Sequence, residues 1–148
     1  MPFSHNIIIQ DTIHKRKLLS KKKCTLWLSN IIKGETILTI RIVGEAESQL
    51  LNKQYRKKNE PTNVLSFLIN ENPLLGDIIL CHSVIKKEAF AQKKTIDDHY
   101  AHLIIHGYLH LIGFDHTKND DALTMENKEI AVLKKLGIKN PYLSNIME

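Results

Sequence analysis

The sequence predicts an α+β or mixed α/β protein: one small sheet covered by helices. Three observations predict it. Short β-branched runs come early, helical periodicity dominates late, and the early runs are joined both by helices and by tight turns. Residues 5–11, HNIIIQD, form a first strand bounded by polar residues. Residues 14–33 follow as an amphipathic helix that gathers Leu18, Leu19, Leu26, Trp27, Ile31 and Ile32 on one face, with Gly34 closing it. In residues 35–43, Ile37, Ile40 and Ile42 bracket Thr39 and Arg41 as in a strand, and Gly44 turns the chain into a second helix, EAESQLLNKQYR. PTNVLSF (61–67) and LLGDIILC (74–81) are two further strands. Residues 82–94 form a third helix with Lys86, Lys87, Lys93 and Lys94 outward. Thr95 and Asp98 fit the start pattern of a fourth helix, with Asp97 as an alternative cap. This helix runs to Ile112 and stops at Gly113. A charged amphipathic helix spans about 118–136 and ends at Gly137, and Pro141 begins a short tail.

The 148 residues suit a single domain, 1–148, with no repeat or linker. With 43% hydrophobic and 25% charged residues, disorder and coiled coil are poor fits. No apolar run approaches the roughly 20 residues that span a bilayer. The start has no basic region followed by a long apolar stretch. Cys24 and Cys81 do not form a disulfide framework. The expectation is a cytoplasmic protein with no membrane partner. The net charge of +5 suits an acidic partner such as nucleic acid. Yet 18 of the 21 basic residues are lysine, beside 20 Ile and 11 Asn, a mixture that an AT-rich coding sequence yields by drift, so charge alone decides nothing. The three arginines, Arg16, Arg41 and Arg56, are more informative.

Five of the eight histidines fall between His99 and His116. His106 and His110 are four residues apart on the predicted helix, so both imidazoles project from one stripe and can reach one ion at about 2.0–2.1 Å each. His116 lies beyond Gly113, where the chain can reverse and bring a third imidazole back over the stripe. Three imidazoles and an open position describe a catalytic zinc site, one ion per chain, although Cys24 or Cys81 could approach in space as a fourth ligand. His102 extends the stripe by one turn. It is a possible ligand, better read as supporting a ligand or walling the pocket. Asp115 either accepts an N–H from a ligand histidine or organises the turn after Gly113. His99 fits a surface or capping role, and His5, His14 and His82 fit structural ones. The spacing matches that of the H-E-x-x-H-x-x-G-x-x-H zinc-protease motif, but Gly107 stands where those enzymes carry their general base. A substrate with its own nucleophile needs that base less, and RNA, through its 2′-hydroxyl, is such a substrate.

HGYLHLIGFDH (106–116) resembles the signature of the YbeY endoribonuclease family. YRKKNEPTNVLSF (55–67) resembles that family's Arg-bearing loop and the strand after it, and LLGDI (74–78) its L-G-D-I strand. The similarity covers about residues 35–143. Asn63 stands where aspartate is common and Leu68 where proline often follows, and residues 1–34 match in pattern only. The resemblance implies a small mixed sheet covered by helices, with a metal-binding helix under a cleft. It implies a metal-dependent endoribonuclease specific for single strands, acting in 3′-end maturation of 16S rRNA and in late ribosome quality control. Its substrate and partners would be single-stranded RNA and the ribosome, with no DNA. It also implies that His106, His110 and His116 are the zinc ligands and that Arg56 is the essential arginine of the cleft.

Chemically, a zinc ion would act as a Lewis acid on phosphate or supply an activated water. Arg56 would offer a planar fork to the phosphate, and Lys57 and Lys58 would attract the RNA backbone. Two other readings remain. A non-catalytic, zinc-containing RNA-binding protein of the ribosome would need a fourth protein ligand on the metal. A zinc peptidase would need another carboxylate, such as Asp115 or Asp77, to reach the metal-bound water in place of the one Gly107 lacks.

Overall fold

A computed structural model describes residues 5–14, 18–114 and 119–143. The strands are β1 (His5–Asp11), β2 (Thr36–Val43), β3 (Val64–Asn70) and β4 (Leu74–Cys81). The helices are α1 (Lys21–Leu28), α2 (Glu45–Arg56), α3 (His82–Ala91), α4 (Ile96–Leu111) and α5 (Asn119–Lys135). The sheet order is β1-β2-β4-β3. β1, β2 and β4 run parallel, and β3 runs antiparallel to β4 at the edge. The mixed sheet follows from the connections: helices carry the parallel crossovers, while three residues suffice to turn β3 back into β4.

Alternation along the strands sorts two cores. On one face Leu38, Ile40, Leu74, Ile78 and Leu80 meet Leu28 of α1 and Ile104, Ile105, Tyr108 and Leu109 of α4. On the other, Val43, Leu65, Ile79 and Cys81 pack with Leu51 of α2 and Val84 of α3. Arg41 braces that outer face, since Nε and Nη2 donate to Glu47 of α2 at 2.7 and 3.1 Å. Arg41 is thus committed to the fold.

Two predicted helices are shorter than their apolar patterns suggest. Of the helix expected over residues 14–33, the described residues form α1 alone. Ser20 caps it by accepting the Lys23 N–H at 3.1 Å, so Leu18 and Leu19 pack against the core before the helix begins. At its far end Ser29 N–H turns back to Leu26 O, and the chain leaves the helix. α3 stops at Ala91, because Lys93 adopts φ +56°. The remaining boundaries agree with expectation to within a few residues. Arg16, Asp115 and His116 lie outside the described residues. Cys24 and Cys81 are buried free thiols, and burial pushes Cys24 up to about 12. Among the described residues no helix is long and apolar enough to cross a membrane.

Candidate active site

α4 is apolar on nearly every side, the composition of a helix enclosed by protein. Thr95 caps it, its Oγ1 accepting the Asp98 N–H at 3.0 Å, and Asp97 and Asp98 complement the helix dipole. Between His99 and Leu111 every residue is buried except His106 and His110. Their rings stand 4.8 Å apart, centroid to centroid, at 81°. Two imidazoles sharing one tetrahedral ion would have centroids about 5 Å apart, so the pair fits that role. Among the described residues no group of three His, Cys, Asp or Glu could hold an ion. His106 and His110 are thus brought side by side, and the third expected imidazole, His116, lies outside the described region.

His106 is held from behind by Glu129 of α5, whose Oε2 lies 3.2 Å from His106 Nδ1. Its other oxygen, Oε1, lies 2.7 Å from His102 Nε2 and accepts the Tyr142 hydroxyl at 2.8 Å. Burial alone would raise the Glu129 carboxyl. The hydrogen bonds and charge of His102 and His106 outweigh it and bring the group down to about 2. An ionised carboxylate only accepts, so both ring nitrogens facing it carry hydrogen. Burial disfavours the charged form of His102 more than Glu129 favours it, so that ring's titration is pushed down. The same burial and the carboxylate push Tyr142 up. His106, donating through Nδ1, would offer Nε2 to a metal.

A cleft of about 630 Å³ opens over this pair. Arg56 and Tyr55 form one wall, residues 62–68 along β3 another, and His106 and His110 the third. Arg56 is the last residue of α2, as the helical pattern of residues 45–56 predicts, and not part of the loop that the family resemblance implies. Lys57 caps that helix in the left-handed region, φ +62°. Arg56 is exposed and makes no ion pair among the described residues. Lys57 and Lys58 are also exposed but do not line the cleft. Tyr55, 57% exposed, stands edge-on to Phe67 with centroids 4.9 Å apart. Cys81 N–H bonds to Asn63 O, so by alternation the backbone groups of Val64 and Ser66 point away from β4, along the open edge.

Gly107 lets α4 come this close to the sheet. A Cβ there would lie 2.9 Å from Ser66 Oγ and 3.2 Å from Ile78 Cγ2. Gly76 does the same from β4, where a Cβ would lie 2.9 Å from Leu111 Cδ1. A glutamate at 107 would drive into the sheet, not into the cleft. Asp77 lies on the face of β4 opposite Gly76 and Ile78, away from α4, so neither position supplies a peptidase base.

Other predicted residues are repositioned. His99 is buried, not a surface or capping residue, and its Nε2 lies 2.8 Å from Glu88. Glu88 also accepts from Asn63 Nδ2 at 3.0 Å, which ties the cleft rim to α3 and α4. His102 supports His106 through their shared Glu129 and does not line the cleft. Cys24 and Cys81 join no ligand group among the described residues. Sequence reasoning missed Glu129, although it occupies an apolar position. Met125, Glu129, Val132 and Leu133 recur at helical spacing, and a carboxylate in such a stripe is the available signal.

Known proteins resemble this chain over most of its length. A family model described as "Endoribonuclease YbeY" matches residues 8–137. The chain is 47% identical to an Endoribonuclease YbeY of Colwellia psychrerythraea, over 95% of this chain and 98% of that one. It is 48% identical to one of Alteromonas mediterranea, over 83% and 84% respectively. The solution structure of TM1509 from Thermotoga maritima superposes with a TM-score of 0.59 at 27% identity, covering 88% of this chain and 91% of that one.

Proposed function

The chain belongs to the YbeY family of endoribonucleases, and on that premise we propose that it is a metal-dependent endoribonuclease cutting single-stranded RNA. We place its work in 3′-end maturation of 16S rRNA and late ribosome quality control, in the cytoplasm and as one domain. The observation that carries this is the joining, in one cleft, of Arg56 from the end of α2 with His106 and His110 from α4.

His106 and His110, with His116 completing the set by the family motif, would hold one zinc ion. When bound, the ion supplies Lewis acidity toward a phosphate oxygen or lowers the pKa of a water. Glu129 keeps the ring of His106 oriented and its Nδ1 protonated, so that Nε2 remains a donor to metal. Arg56 presents a guanidinium with no ion-pair partner among the described residues, suited to the charge that grows on a phosphate in the transition state. Tyr55 offers an aromatic surface to an unstacked base, which duplex RNA does not present. Lys57 and Lys58 add positive charge beside the cleft.

The test is incubation of the zinc-loaded protein with matched single-stranded RNA, duplex RNA and casein. Cleavage of the single strand alone is expected. Casein cleaved as well as RNA, or no cleavage of any RNA, overturns the reading. His106→Ala and His110→Ala should each lose the metal, and full occupancy in either variant would remove that residue from the ligand set.

A further inference from the structure

A second cavity, of about 890 Å³, opens where the α3–α4 connection meets the end of α5 and the chain after it. Its wall includes Lys93, Lys94 and Lys139, with Asp98 the one carboxylate among the described residues. Lys93 and Lys139 are exposed. Lys94 is half-buried and makes no ion pair among the described residues. Burial pushes its ammonium down despite the fields of Glu88 and Asp98, so an anion entering the cavity would stabilise it. Phe90 stands at the margin with 88% of its surface in water.

The inner wall includes a histidine. His102 is buried and lines this cavity. Its Nε2 faces Glu129, while Nδ1 is buried without a hydrogen-bond partner among the described residues. With Nε2 carrying the hydrogen, Nδ1 is an acceptor that lacks a donor. Three lysines and an exposed aromatic ring match two parts of a nucleotide, its phosphate and its base.

We propose that this cavity is a second nucleotide-binding site, separate from the cleft, which holds one phosphate-bearing nucleotide against Lys93, Lys94 and Lys139. That nucleotide is either free or part of the RNA strand whose scissile unit lies in the cleft. One turn of α4 separates the two sites, with the rings of His102 and His106 6.3 Å apart. The strand-borne form rests on the nuclease reading, and the free form does not.

The experiment is calorimetric titration of the full chain with adenosine 5′-monophosphate and with two 2′-O-methyl oligoribonucleotides, one short and one long, that cannot be cleaved through the 2′-hydroxyl. The proteins are the parent, Arg56→Ala, and the double variant Lys93→Glu/Lys139→Glu. The changed lysines are exposed, and thermal melts confirm folding. If charge reversal unfolds the chain, the double alanine variant replaces it. A free-nucleotide site predicts that the monophosphate binds the parent and Arg56→Ala alike and at least about tenfold more weakly to the double variant. A strand-borne site predicts no monophosphate binding, but tighter binding of the longer oligomer that disappears in the double variant. The proposal falls if neither ligand distinguishes parent from double variant, or if Arg56→Ala abolishes monophosphate binding. Failure of RNA cleavage with monophosphate binding intact would sink the nuclease reading and leave this site standing.

Discussion

Glu129 Oε2 sits 3.2 Å from His106 Nδ1, and the same carboxylate lies 2.7 Å from His102 through Oε1. One buried acidic group on α5 therefore fixes two turns of the histidine stripe on α4. Glu129→Gln keeps the size but removes the charge, and should weaken metal binding by about 10–100-fold. Glu129→Ala should in addition lower the melting temperature, because His102 and Tyr142 lose their buried acceptor at a cost of about 1–3 kcal/mol per group. Competition against a chelating dye reads the first effect and thermal melts read the second. Parental metal affinity in Glu129→Gln would refute this supporting role.

Gly107 tests the close approach of α4 to the sheet. Alanine gains about 1 kcal/mol of helix propensity over glycine, whereas overpacking costs about 1–3 kcal/mol. The Ser66 hydroxyl can rotate away, but Ile78 is in the packed core, so Gly107→Ala should be modestly destabilised. Adding Ser66→Ala should recover part of that loss. Gly107→Glu should fold poorly and gain no peptidase activity. Urea denaturation of the series checks the order, and a Gly107→Glu protein as stable as the parent would contradict the packing.

Arg56 is exposed at a helix end, so removing it should spare the fold. Arg56→Ala should keep its melting temperature and metal content while losing about 10²–10³ in RNA cleavage. Arg56→Lys should recover only part, since lysine keeps charge without the fork. Single-turnover cleavage is the readout. An unfolded Arg56→Ala, or one cutting at the parental rate, would defeat the assignment.

Glu88 gives the fold a predictable response to acid. Burial would raise its carboxyl, but hydrogen bonds from His99 and Asn63 prevail and lower it from the ordinary 4.5. A depressed carboxyl contributes stability that is present above 4.5 and lost as pH falls through its folded value. The melting-temperature gap between the parent and Glu88→Gln should therefore shrink below that pH. Asn63→Asp would set a second carboxylate where the Asn63 amide now stands 3.0 Å from Glu88. Its destabilisation should be largest near neutrality and ease in acid, as one of the pair takes up a proton. A deficit independent of pH would show that the two side chains do not meet.

Much of the site was legible because its signals are local. His106 and His110 are one helical turn apart, and the glycine at 113, φ +107°, ends the helix where the spacing requires. The β4 run and the α2 boundaries follow from periodicity and turn residues within a few positions. What was not legible depends on contacts distant in sequence. Tyr142 reaches Glu129 from the C-terminal segment, and nothing in its neighbourhood announces that. His99 looked peripheral at the start of α4 because its partner, Glu88, belongs to the preceding helix. Arg56 ends α2 as its pattern predicts, but nothing local says that its guanidinium would face the histidines of α4 across the cleft. Asn63, a departure from the family pattern, makes sense once Glu88 is beside it.

The burial of α4 has a consequence for how the reacting partners divide the work of alignment. His106 and His110 emerge from a helix whose other residues from His99 to Leu111 are enclosed. Such a helix yields its amide hydrogens to solvent only in openings that approach global unfolding. The imidazoles cannot shift to meet a substrate without disturbing the core. Adaptation then falls to the nucleic acid: a pliant strand can bend its backbone onto a fixed template, while a stiff one must be distorted at its own cost.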